Sequence, residues 1–448
     1  MLVLFVFFSS TAWLYAQIPD TLWTRTYGGA NHDIGYYVCP TYDSGFCVAG
    51  YTASFGGGVQ NAYLLRLDSN GDTLWAKYYG GPSYDGAHCV LETEDNGFLV
   101  TGFVESYGAA GKNLYLIRTD PDGDTIWTKV YGGNLQDVGY ALCPAHGGGF
   151  MVVGYRDGPT GWVKGNFWLL KIDTNGDTLW TRVYGGAGED YGISIRPIPD
   201  GYIITGVNTY ASAGGKDLWL VKTDMDGDTL WTRVYGGALE DVGYGVNTTA
   251  DGGFIVTGYR DGSGSWTAGD LWLLKTDAYG DTLWTSVFGA GGEDFGFDVF
   301  ERDDGYIIGG QYGYGSTKDV WLVRTDNEGD TLWTKRYGGI YDESALGMMI
   351  TDADEFVLVG YTGSYGAGYN DVYVIKLEPE TGIQEHDAVS HRNPYTTMIV
   401  NNLAGIFHDR HVTIFDIAGR PVTPTAPAPG IYFVEQDNVI IHKIILIR

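Results

Sequence analysis

Residues 229–281 read TLWTRVYGGALEDVGYGVNTTADGGFIVTGYRDGSGSWTAGDLWLLKTDAYGD, and variants of this unit fill most of the chain. Its Thr-Leu-Trp start, Thr-Ile-Trp in one copy, places Trp23, Trp75, Trp127, Trp180, Trp231, Trp284 and Trp333 at intervals of 52, 52, 53, 51, 53 and 49 residues. Within the unit lie YGVNTT, FIVTGY, DLWLLKTD and the following TLWTSVFG, short runs rich in β-branched and aromatic residues. Gly, Asn and Asp stand between them, and these residues accept the backbone of tight turns, so the runs read as antiparallel hairpins. Neither a helical period nor a helix cap interrupts the pattern. Four such strands repeated every fifty residues or so describe the blade of a β-propeller.

The phase of the repeat carries more information than its count. Numbering the strands of a blade first to fourth from the axis outward, PDTLWTRTYGG at the N-terminus is an isolated fourth strand. DVYVIKLEPETG at the end of the repeats is a third strand with no fourth after it. Residues 21–28 are therefore expected to complete the seventh blade beside residues 371–377, closing the ring and removing an unpaired edge. The expected fold is all-β: a seven-bladed propeller over residues 17–380 with N-terminal strand closure, then a linker at 381–392 and a small Ig-like β-sandwich at 393–448.

Each blade must bury both faces, so the recurring tryptophans are expected between blades, where truncating a fully buried one costs about 3–5 kcal/mol. A second aromatic set opens the third strands: Tyr63, Tyr115, Trp168, Trp219, Trp272, Trp321 and Tyr373. It too reads as core.

The chain has 448 residues, 69 of them glycine, and a formal net charge of -28. Such acidity repels nucleic acid and anionic membranes at long range. Residues 1–16, MLVLFVFFSSTAWLYA, resemble a secretory signal peptide too short to span a bilayer, and no other segment suggests membrane insertion. Cys39, Cys47, Cys89 and Cys143 form no C-x-x-C pair and are expected as buried thiols, although Cys39 and Cys47 fall where a hairpin would oppose them.

Three resemblances follow from these residues. The D-x-x-G-D-T-L-W hairpin resembles the docking motif of pyrroloquinoline-quinone propellers, but seven units and no adjacent cysteines argue against quinone chemistry. It also resembles the structural Asp-box of sialidase-type propellers, with one extra residue between Thr and Trp, as in Gly71-Asp72-Thr73-Leu74-Trp75. The residues beyond 392 are similar to the C-terminal sorting domain of the bacterial type IX secretion system. The matching positions are Asn393 and Pro394, Asp416 with Gly419 and Arg420, Gly430 and Tyr432, and Lys443. That resemblance implies export through the periplasm by the type IX machinery to the medium or the outer cell surface.

The connectors Y-G-G-x-x-x-D supply Asp33, Asp85, Asp137, Asp190, Asp241, Asp294 and, less clearly, Asp342 just before the inner strands. Seven carboxylates there can ring the channel mouth to hold a cation or a glycan, or accept backbone N–H bonds in a repeated turn. The turns between third and fourth strands hold further pairs such as Asp224 and Asp228, which read as turn formers with weak calcium binding as the other reading. No other cofactor is expected. Trp162 and Trp266 sit on Gly-rich loops outside the repeated framework, where a tryptophan can stack on a sugar or anchor a partner.

Five of the eight histidines lie beyond the repeats, and His88 alone falls on an inner strand, where it reads as solvated or satisfied. No G-x-S-x-G, H-E-x-x-H or P-loop is present. The expectation is a monomeric, non-enzymatic binding module for an extracellular glycan or protein. A secreted glycoside hydrolase or lyase is the first alternative, which a non-repeated acid pair inside the channel would mark. A calcium-dependent adhesive protein is the second.

Overall fold

The computed structural model describes residues 18–158, 165–186, 188–209, 215–262, 269–289, 291–314 and 317–380, and the strand backbone at 396–400, 412–416, 430–436 and 439–446. The chain divides into two units, residues 1–383 and 384–448.

The first unit is a ring of seven four-stranded antiparallel sheets. Six are continuous in sequence. The seventh is assembled from both ends: Glu343–Ile350, Phe356–Thr362 and Asp371–Leu377 are completed by Thr21–Tyr27, with Thr24 opposite Ile375. The expected closure is present, and no third strand in the ring is left without an outer neighbour.

The core lies between blades. One apolar cluster joins Ala49 and Leu64 of the first blade to Val90, Phe98 and Ile117 of the second, and another joins Val38 and Val48 to Val357, Val359 and Val374 of the seventh. Middle strands are covered on both faces, so Asn61–Leu67 is buried at every residue. The second aromatic set is buried throughout, from Tyr63 to Tyr373.

The recurring tryptophans do sit at blade junctions, but six of the seven are only half-buried, Trp333 alone being buried. All seven stand on the outermost strand, at the rim of the ring. All but Trp333 lie over a turn glycine of the next blade: a Cβ at Gly123 would fall 2.9 Å from the Trp75 ring, and at Gly71, 2.9 Å from Trp23. These glycines have φ of +77° and +81°, a conformation favouring Gly. The same turn carbonyls accept the hydroxyls of the Y-G-G tyrosines, Tyr79 to Gly123 at 2.6 Å and Tyr27 to Gly71 at 2.5 Å. Lys77 and Lys129 then reach Asp124 and Asp177 of the next blade at 2.6 and 2.9 Å. The hairpin is a blade-to-blade latch. The leading Asp of each turn also forms it, Asp68 Oδ1 accepting the Asn70 and Asp72 N–H groups at 2.8 and 2.9 Å.

Cys39 and Cys47 are opposed across a hairpin, and all four thiols are buried and free. The second unit contains one mixed sheet among its described residues, ordered 396–400, 439–446, 430–436, 412–416. The second layer of the expected sandwich is not among them. Asp416 pairs in register with Tyr432, and Lys443 with Phe433. Asn393, Pro394, Gly419 and Arg420, like residues 1–16, lie outside the described residues.

Candidate ligand site in the axial cavity

The repeated connector acids are turn clasps. Asp33, Asp85, Asp137, Asp190, Asp241 and Asp294 are all fully buried. Asp85 accepts the N–H of Gly81 at 2.7 Å on one oxygen and those of Glu105 and Ser106 at 3.0 and 3.1 Å on the other. Asp137, Asp190 and Asp241 repeat the pattern with Gly133, Gly186 and Gly237. The carboxylates thus tie each connector to the loop between second and third strands. In the seventh blade this position belongs to Glu343, not Asp342: Glu343 accepts from Gly339 at 2.7 Å and Ser364 at 2.9 Å. It stands six residues after Tyr337, as Asp85 does after Tyr79, so the tyrosine-to-acid spacing sets the role. Burial pushes the Asp137 and Asp241 carboxyls above the ordinary range.

Three residues beyond each clasp, every inner strand carries a β-bulge. The register breaks around Tyr36, His88, Tyr140, Ile193, Tyr244, Phe297 and Leu346. A bulge re-aims the extra side chain out of the ladder, and all seven of these residues line one cavity on the axis, about 480 Å³ in volume. They form two aromatic arcs. His88 stacks on Tyr140 at 5.0 Å and meets Tyr36 edge-on at 5.3 Å, while Tyr244 and Phe297 are 4.9 Å apart. His88 Nδ1 lies 2.9 Å from the Gly139 carbonyl, which can only accept, so Nδ1 carries the proton. This satisfied histidine agrees with the sequence expectation.

The next positions inward are mostly small, including Ala141, Ser194 and, in two strands, Gly245 and Gly347. Against them two residues break the sevenfold pattern. Arg196 and Asp298, from the fourth and sixth blades, approach to 3.5 Å inside the cavity. Asp298 is buried near the backbone N–H groups of Met348 and Val299; burial outweighs their pull and that of the Arg196 charge, lifting its carboxyl to about 6. Burial works against the Arg196 cation, but facing Tyr37 and Asp298 more than offset it. The Cys89 and Cys143 thiols are pushed up to about 12, chiefly by burial, and are not nucleophiles at neutral pH.

The site residues proposed from sequence are therefore distributed as follows. The Asp series lies just outside the cavity wall and shapes it, and the loop residues Trp162 and Trp266 lie outside the described residues. Arg196 and Asp298 were missed. Aligning the inner strands from the clasp acid exposes them, because the sixth position after it reads Cys39, Leu91, Cys143, Arg196, Asn247, Phe300 and Met349, and the fourth reads Tyr37, Cys89, Ala141, Ser194, Gly245, Asp298 and Gly347, each charged once. Among the described residues no group of three or more His, Cys, Asp or Glu side chains can hold a metal ion.

No protein-family model matches the chain. Over an alignment of 253 positions, the chain is 26% identical to the regulatory protein FlaEY of Caulobacter vibrioides, with 49% of this chain and 26% of that protein's length covered. Among solved structures, the Neurospora crassa Pan2 WD40 domain is 11% identical, with 78% of this chain and 90% of that one covered at a TM-score of 0.47. Sqt1 from Chaetomium thermophilum is 10% identical, covering 79% and 87% at a TM-score of 0.45. The chain spans about a quarter of its curated relative and resembles propeller domains only distantly; its own strand order establishes an all-β seven-bladed propeller.

Proposed function

We propose that this chain is a non-enzymatic binding module that captures an extracellular ligand in its axial cavity. The observation that carries this reading is the breakdown of sevenfold repetition at Arg196 and Asp298. Elsewhere the repeat accounts for its own residues, as blade latches, turn clasps and core. An ion pair of buried Asp298 with half-buried Arg196 costs desolvation and is weak support for stability, so its confinement to a cavity walled by aromatics suggests recognition. The same feature disfavours the hydrolase alternative, because among the described residues Asp298 is the only carboxylate lining the cavity, and its neighbour is a cation, not a second acid.

The ligand is a small extracellular molecule, or the end of a glycan or protein chain, that reaches the axis. Export of the propeller through the type IX machinery, directed by residues 393–448, is part of the same proposal. Calcium is not required by this account.

A panel of glycan fragments, short peptides and small metabolites, tested on the full chain by thermal shift with product analysis by mass spectrometry, tests the reading. At least one compound is expected to raise the melting temperature and be recovered intact. Cleavage of any glycan would overturn it. For export, a producing cell expressing the chain without residues 393–448 is expected to retain the propeller inside its envelope; unchanged release would remove the sorting role.

A further inference from the structure

The floor of the cavity presents two opposite charges side by side, and neither is saturated by the other. Arg196 Nη1 donates to its neighbouring Ile195 carbonyl at 3.2 Å, and Nη2 lies at the long limit of a hydrogen bond, 3.5 Å from Asp298 Oδ1. A planar guanidinium has five donors suited to a carboxylate fork. Among the described residues Asp298 accepts only this long side-chain hydrogen bond, from Arg196, so its carboxylate keeps acceptor capacity for a further donor. Tyr37 faces the pair, the small side chains of Cys89, Ala141 and Ser194 line the same cavity, and so do the aromatic arcs.

Resting on the axial cavity as the ligand site, we infer that it takes a zwitterion, an α-amino acid with an aromatic side chain, whose carboxylate bonds Arg196 and whose ammonium bonds Asp298. A carboxylate without an amine would pair with Arg196 yet lie against the Asp298 charge. An amine without a carboxylate would meet the reverse conflict. Only adjacent charges of both signs answer both groups, and leaving one buried charge unanswered is costly. Tyr36, His88 and Tyr140 on one side, and Tyr244 and Phe297 on the other, offer ring faces and edges to the side chain. The acidic protein as a whole (net charge -28) favours approach of the ammonium end.

Isothermal titration of the full chain at neutral pH with L-phenylalanine, phenylpropionate and phenethylamine decides the matter. L-Phenylalanine is expected to bind at least about tenfold more tightly than either singly charged analogue. Arg196→Gln should narrow the gap to phenethylamine, and Asp298→Asn the gap to phenylpropionate. Should either variant fail to fold, the three wild-type titrations still decide. Equal or tighter binding of phenylpropionate or phenethylamine overturns the inference. Failure of all three, with a glycan or peptide still binding, overturns the zwitterion while leaving the cavity as the ligand site; failure of every compound overturns both.

Discussion

Arg196 and Asp298, 102 positions apart in sequence, meet at 3.5 Å inside a ring whose other blades carry no charged side chain at the equivalent inner positions. A repeat protein supplies its own control: what recurs in every blade explains the ring, and what occurs once needs another explanation. The pair therefore separates architecture from function in this chain.

The Asp298 carboxyl, lifted to about 6 by burial, makes stability depend on pH. Its folded value lies above the unfolded value near 4, so its stabilising contribution is complete below pH 4 and lost as pH rises through 6. Wild type should therefore lose up to about 3 kcal/mol relative to Asp298→Asn between pH 4 and pH 7. Urea unfolding of both proteins across that range measures it, and a difference independent of pH would contradict the burial of this carboxyl.

At the closing seam, Asp33 and Asp371 flank Gly28, and each has a buried Oδ1 without a hydrogen-bond partner. The first three blades place Asn61, Asn113 and Asn166 where the seventh has Asp371. Burial and the nearby Asp33 raise the Asp371 carboxyl, so this group's contribution is present in acid and lost as pH rises. Asp371→Asn supplies a neutral side chain with a donor, and should stabilise the protein at neutral pH by about 1–2 kcal/mol. A lower melting temperature at neutral pH would show that the seam tolerates both charges.

Gly123 and Gly133 give a paired test of the blade latch. Gly123, at φ +77°, lies under the Trp75 ring, whereas a Cβ on Gly133 meets nothing within 4 Å. Gly123→Ala should cost about 1–3 kcal/mol, and Gly133→Ala should change stability by less than about 0.5 kcal/mol. Equal effects would deny the latch its role.

Removal of residues 18–27 takes the outer strand from the seventh blade and bares the edge of Asp371–Leu377. Exposed edges promote association, so the shortened chain should oligomerise and lose cooperative unfolding. A monomer with unaltered melting would mean that closure contributes nothing.

The ring was legible in sequence because its signals are local and repeated. The unpaired outer strand at Thr21 and the unpartnered third strand at Asp371 fixed the closure by phase alone. The latch was legible less fully: the tryptophans announced a blade junction, but a spacing cannot report that six of them stay half-exposed on the rim. The connector acids suggested either a ring of ligands or a turn, and burial of Asp85 and its neighbours resolved their geometry. The cavity was hidden, because the bulges at Tyr36 and its six counterparts are set by register across strands. Arg196 and Asp298 come from blades that are not neighbours in sequence, so no motif joins them.

The most direct test of axial binding is to plug the cavity. Leu346 occupies a bulge where five of the other six blades carry Tyr, His or Phe, so the backbone there accepts an aromatic residue. Leu346→Trp should fold with the melting temperature of the wild type and lose the thermal shift produced by any compound that the wild type binds. Binding that survives in the folded Leu346→Trp protein would place the ligand elsewhere and contradict the account.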